Sequence, residues 1–390
     1  MDSTPITVAR PQAFRGVGRS LLLTLPIALW AALMFSRAFR SPGLALHIAA
    51  ILTAVFTIVL FFQMMRTGQT YRPRRIFFAA VGLLFPVSFI ASLMQLRGSM
   101  DIPIERMVGG DTPFCFMVTP MLLIPAALGR TLIFPGSILP TASNPHSIAV
   151  MIGLWLALSI VLGKGWCAYG CFFGGIEEGF AALPKRAKIR KFDPRLRMIP
   201  WAVLLFIVLL SAAIFEPVYC MWLCPFKAVT EFPAVRSVET AIQFVLFVAL
   251  FAGLVVVLPF LTKKRTQCAF FCPFGAFQSL FNKVNIFEIR VNREKCVDCG
   301  ACTVACPTLA ISRESVKEGK TLLNCMKCGA CVDACKKDVA VWHIKGTGIG
   351  VKPERARLLF LYGAWAMAIM FGGSIVANSL ATILHFLHVN

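Results

Sequence analysis

Between residues 296 and 335 the chain reads Cys296-Val-Asp-Cys299-Gly-Ala-Cys302-Thr-Val-Ala-Cys306-Pro307 and then Cys325-Met-Lys-Cys328-Gly-Ala-Cys331-Val-Asp-Ala-Cys335. Eight cysteines in two copies of one spacing constrain the local fold more than any other feature. Three closely spaced thiolates wrap one face of a 4Fe–4S cube, and a fourth arrives from elsewhere in the chain. Gly300, Ala301, Gly329 and Ala330 suit such a wrap, because small residues let backbone amides approach the cluster sulfurs. A structural zinc site also uses paired C-x-x-C units, but zinc takes four ligands and has no use for a third cysteine at this spacing.

The two motifs resemble those of bacterial two-cluster ferredoxins, which exchange their fourth ligands. The resemblance implies one cluster on Cys296, Cys299, Cys302 and Cys335, and another on Cys325, Cys328, Cys331 and Cys306. Lys336 stands where a second proline is usual.

The rest of the chain is too apolar for an ordinary soluble domain: 58% of its 390 residues are hydrophobic and the mean hydropathy is +0.76. The expected fold is an α-helical membrane bundle of about seven transmembrane helices and a re-entrant segment, with an inserted α+β ferredoxin-like domain. The domain boundaries read as a cytoplasmic N-terminal segment over 1–19, a membrane domain over 20–284, the two-cluster domain over 285–345, and a linker with a last helix over 346–390. Residues 1–16 are polar and the first apolar run has no small-residue cleavage site, so no cleavable signal peptide is expected. The formal charge of +21 could suggest nucleic acid. Most of the basic residues flank apolar runs, however, which is the pattern of membrane topology, and no nucleic-acid partner is expected.

Spans are expected at 20–36, 44–65, 76–96, 147–163, 199–216, 239–261 and 358–380. Arg66, Arg72, Arg74 and Arg75, the loop from Lys185 to Arg197, and Lys263-Lys264-Arg265 mark the cytoplasmic side. The stretch 112–136 holds Pro113, Pro120, Pro125, Pro135 and Arg130 and is expected to be re-entrant, because irregular backbone at membrane depth needs protein or a watery cavity around it. This topology puts the ferredoxin-like domain in the cytoplasm of a bacterial inner-membrane protein, where structural disulfides are disfavoured.

Three C-x-x-x-C pairs and Cys115 remain. Cys167/Cys171 and Cys268/Cys272 each follow an inward helix end, and two cysteines four apart share one face of a helical turn. Together they supply four thiolates, enough for a third cluster at the membrane surface. The competing reading is that they are buried packing cysteines. Cys220 and Cys224, with Cys115, are expected a membrane's width away on the outer face, as a redox-active disulfide, part of a further metal site, or packing residues.

Trp166-Cys167 through Gly175, Cys268-Ala-Phe-Phe-Cys272-Pro273 and the two ferredoxin motifs resemble the membrane polyferredoxin family of NapH-like quinol dehydrogenase subunits and the membrane half of NosR-like proteins. The likeness covers about residues 150–345 and implies iron–sulfur electron transfer between the quinone pool and a partner reductase or maturation factor, as a quinol dehydrogenase or oxidoreductase subunit. The chain departs from the family at Phe172, in its Cys220/Cys224 pair, and in lacking a flavin domain or an appended C-terminal soluble domain. A second reading makes it an assembly or regulatory protein that supplies electrons for maturing a metalloenzyme. A third, a transporter with a redox sensor, finds no inverted repeats to support it. His47, His146, His385 and His388 form no opposed pair for haem, and Glu216 ends a span where an ionisable group is costly.

Overall fold

The computed structural model describes residues 16–40, 43–95, 148–214, 218–230, 235, 237–348 and 353–387. Cys115, the 112–136 segment, His146, Glu216 and His388 lie outside the described residues.

Long helices dominate: α1 (Val17–Phe35), α2 (Leu44–Thr67), α3 (Tyr71–Gln95), α4 (Ile148–Leu162), α5 (Phe172–Ala182), α6 (Ile199–Ile214), α7 (Val238–Thr262), α8 (Pro273–Val284) and α9 (Pro353–Phe386). By length and composition five of the described helical stretches could cross a membrane: α1 with its 3-10 extension to Arg40, α2, α6 with the turn that precedes it from Pro194, α7 and α9. The pair formed by Gly153–Tyr169 and α5, bent by 42°, makes a sixth if counted as one broken span.

The helices are inside-out relative to a water-soluble bundle. On α1, Leu21, Leu25, Leu29 and Leu33 recur every four residues and are between 52% and 63% exposed, while Ser20 and Thr24 are buried. Water would favour the opposite arrangement. The buried hydroxyls turn back on their own helix, as where Thr24 Oγ1 donates to the Ser20 carbonyl at 2.8 Å and Thr53 Oγ1 to the Ala49 carbonyl at 2.8 Å.

α3 and α5 cross in close contact. A Cβ on Gly82 would stand 2.1 Å from the amide nitrogen of Ile176, and one on Gly175 would stand 2.3 Å from the Phe78 carbonyl, so the crossing requires both glycines. α9 runs against α2 and α3, where Trp365 is fully buried between the rings of Phe61 and Phe77.

Residues 287–344 form a small α+β unit. β1 (Phe287–Val291) pairs antiparallel with β2 (Ala340–Ile344), Phe287 opposite Ile344 and Val291 opposite Ala340. Two short helical turns, Ala301–Ala305 and Ala330–Ala334, lie against each other between the strands in sequence. This unit sits directly on the helices: Phe360 of α9 meets Phe287, Trp342 and Tyr169, with ring centroids 5.5, 4.8 and 5.8 Å away. Asn282 at the end of α8 donates to the carbonyls of Leu323 and Cys325, each at 2.7 Å.

Candidate metal centres

In the small unit the backbone repeats with the cysteines. Asp298 and Lys327, two residues after the first cysteine of each motif, both have positive φ, as do Gly300 and Gly329, and Leu309 and Asp338 three residues after the last cysteine. Those left-handed turns bend each loop around a common centre. Cys306, Cys325, Cys328 and Cys331 line one cavity, so the last cysteine of the first motif joins the first three of the second. Cys302 lies within electrostatic reach of Cys335, Cys296 and Cys299, the complementary set. Cys299 is exposed, whereas Cys328 and Cys331 are buried, which makes one site outer and the other inner.

The donor set fits iron–sulfur clusters. Burial pushes the Cys302 thiol up to about 11 and Cys328 up to about 12, and raises Cys331 well above the ordinary thiol range. Such thiols do not ionise singly; a cationic iron core bound among them would compensate them together. The amide of Ala310 donates to Cys306 Sγ at 3.1 Å, the kind of N–H···S bond that tunes a cluster-bound thiolate. Among the described residues no three cysteine, histidine or carboxylate side chains converge tightly enough for a single ion. The thiols surround a volume instead of a point.

A second cavity lies at the helix ends, lined by Cys167, Cys171, Cys268 and Cys272. Both pairs adopt the same turn. The amides of Gly170 and Cys171 donate to the Trp166 carbonyl at 2.8 and 3.2 Å, and those of Phe271 and Cys272 donate to the Gln267 carbonyl at 3.0 and 2.8 Å. Each turn therefore ends on a wide i→i−5 bond, which tips both thiols of a pair to one side. The amide of Gly275 donates to Cys272 Sγ at 3.3 Å. Lys164, buried in the wall, donates from Nζ to Ser279 Oγ at 2.9 Å and has no carboxylate within ion-pair distance among the described residues. A buried ammonium without a counter-charge suits an anionic occupant.

Sequence reasoning missed the ionic frame of this cavity. Arg265 lies 3.7 Å from both Glu177 and Glu178, and Arg74 pairs with Glu178. Glu177 Oε1 accepts from the amide of Gln267 at 2.5 Å, so the helix after the first pair fixes the backbone beside the second. The available signal was two adjacent glutamates in an otherwise apolar, glycine-rich stretch six residues beyond Cys171, with an arginine three before Cys268.

The placement of Cys220 and Cys224 on a far face is corrected. Tyr219 is fully buried, and its hydroxyl accepts from Gln267 Nε2 at 3.0 Å. Cys224, Cys272 and Cys220 all lie near that phenol. Tyr219 thus sits beside Gln267 and Cys272 of the second pair, so Cys220 and Cys224 do not lie a membrane's width from that pair, and Ser211 Oγ accepts from the amide of Val218 at 3.4 Å. Tyr219–Leu223 is itself a π-helical turn. Phe226, two residues after Cys224, stacks on Phe173 with centroids 4.1 Å apart. Phe173, Phe226 and Phe274 each stand two residues after the second cysteine of a pair, and all three line this second cavity. The three pairs are thus an internal repeat, C-x-x-x-C-(Phe/Pro)-Phe. Of the histidines described, His47 stacks on Phe39 at 5.1 Å and His385 lies in the last turn of α9.

Comparisons agree with this division. A 4Fe–4S dicluster domain model matches residues 288–336, and a 4Fe–4S binding domain model matches three times, over 144–191, 198–238 and 244–293, with one C-x-x-x-C pair in each match. The chain is 26% identical over 176 residues to the putative electron transport protein YccM of Escherichia coli K12, covering 42% of this chain and 47% of that protein. It is 29% identical over 193 residues to the methylamine utilization ferredoxin-type protein MauN of Paracoccus denitrificans, covering 47% and 62%. An uncharacterized protein of Methanocaldococcus jannaschii is 25% identical over 160 residues, covering 39% and 62%. The matches thus span about half to three fifths of the relatives' own lengths. No solved structure matches the chain. The chain carries ferredoxin-type 4Fe–4S domains and is homologous to electron transport proteins of the ferredoxin type.

Proposed function

We propose that this protein is a multi-pass membrane electron carrier that moves electrons between the quinone pool and a redox partner through three 4Fe–4S sites in series. Cys167, Cys171, Cys268 and Cys272 hold the membrane-side cluster. Cys306, Cys325, Cys328 and Cys331 hold the inner ferredoxin cluster, and Cys296, Cys299, Cys302 and Cys335 the outer one. Bound there, the clusters would supply one-electron carriers. The chain itself supplies the order. The observation that carries the reading is that Thr308 and Met326 line both the membrane-side cavity and the inner ferredoxin cavity. Two thiol cages with a common wall make a relay, and the exposed Cys299 marks its aqueous end.

The outward leucines of α1 and the five apolar stretches support a membrane setting. The exposed cations Lys185, Arg186, Lys188, Arg190, Lys191 and Arg195 support a cytoplasmic position for the ferredoxin end. The NapH-like and NosR-like resemblance supports the quinone link. Anaerobic mixing of the purified, cluster-loaded protein with a quinol tests it: the clusters are expected to be reduced, and quinol analogues are expected to compete. Clusters that dithionite reduces and no quinol does would remove the quinone from the proposal while leaving the relay.

A further inference from the structure

We propose that Arg265 sets the reduction potentials of two neighbouring cluster sites at once, the membrane-side site and the inner ferredoxin site. The inference rests on the cluster assignments proposed above. Arg265 follows the end of α7 and is completely buried. Its Nη2 donates to Cys268 Sγ at 3.1 Å. Its Nη1 donates to the Cys167 carbonyl at 2.9 Å and to Met326 Sδ at 3.1 Å. Its backbone amide donates to the Pro307 carbonyl at 2.8 Å. One guanidinium therefore touches both cysteine pairs of the membrane-side cage and the residue after Cys325, while its main chain is tied to the residue after Cys306. Glu177 and Glu178 hold the fork, and Gly174 makes room for it, since a Cβ there would come within 1.7 Å of Nη2.

Reduction adds one negative charge to a cluster. A fixed cation in a buried setting favours the reduced form, and an N–H···S hydrogen bond adds to the effect, so both raise the potential. Arginine keeps its proton at any working pH and holds its donors in a rigid fork, which a lysine does not. Lys164 provides the contrast: it lines the membrane-side cavity but not the inner ferredoxin cavity.

Redox titration followed by electron paramagnetic resonance, on the full-length cluster-loaded protein in detergent, tests the assignment. Signals are attributed to sites with Cys171→Ser and Cys335→Ser variants. R265Q is expected to lower the equilibrium constant for reduction at least tenfold at both the membrane-side and the inner ferredoxin site, about 59 mV for a one-electron couple. The outer site is expected to stay unchanged. R265K should recover part of both shifts, and K164M should move the membrane-side potential alone. An R265Q protein whose inner ferredoxin potential equals that of wild type overturns the proposal, and this comparison still decides if the variant loses its membrane-side cluster. A wild-type protein with only two titrating clusters would overturn the underlying cluster assignment instead.

Discussion

The carboxylate of Asp333 accepts a 2.7 Å hydrogen bond from the backbone amide of Tyr71, and the same oxygen accepts one from Thr70 at 2.8 Å. Asp333 lies between Cys331 and Cys335, whereas Tyr71 begins α3, so a cluster-binding loop caps a long apolar helix from another part of the chain. A carboxylate at a helix start satisfies open amides and complements the helix dipole. D333A is therefore expected to cost about 1–2 kcal/mol and D333N less, since the amide oxygen still caps. Thermal loss of the visible cluster absorbance should move to lower temperature in that order.

Replacing Cys335 should perturb the cluster held by Cys296, Cys299 and Cys302, not the one formed by its own motif. Site-resolved spectroscopy of Cys335→Ser reads this directly. Loss of the inner signal with the outer one intact would refute the exchanged set.

The purified protein should contain about twelve irons and a matching amount of acid-labile sulfide, four of each for every cluster. C171S and C268S should each lower the iron count to about eight, and a C220S/C224S variant should keep it near twelve. A fall in the last variant would mean that the middle pair also holds metal.

His343 is buried beside Glu288, with Nε2 3.7 Å from its carboxylate, and Arg290 lies close by. Burial holds the imidazole below its ordinary range, more than Glu288 raises it. The unfolded chain then binds the proton more readily than the folded one, so stability is fully present above about pH 6.5 and declines as the pH falls through the folded value. H343Q should flatten the acid limb of a stability–pH curve, measured by denaturant unfolding of the cluster-loaded protein. An unchanged limb would assign the acid sensitivity to other groups.

The parts of this protein that the sequence makes legible are those whose geometry is local. The Cys296 and Cys325 motifs encode their own bends through Gly300 and Gly329, and apolar runs long enough to cross a membrane announce their helices. Pairing Cys167/Cys171 with Cys268/Cys272 required only that both follow a helix end, and the four do line one cavity. The position of Cys220 and Cys224 was not legible by counting residues at 1.5 Å each, because that count assumes the chain runs straight on past α6, whereas Tyr219 lies against Gln267. The shared Phe173, Phe226 and Phe274 positions would have exposed the repeat had the three pairs been aligned with one another. Arg265 and Glu177 resisted prediction for a different reason. Their partners are main-chain atoms and a thioether far away in the chain, which no motif marks.

The wall of Thr308 and Met326 also fixes an order of manufacture. Cys167 through Cys272 leave the ribosome before either wall residue is made. Until the ferredoxin unit folds down, the membrane-side cavity is a four-thiol cup with one side missing, and the missing side is the one the ferredoxin unit later covers. On the proposed cluster assignment, that open side is the one from which iron and sulfide would reach the four thiols.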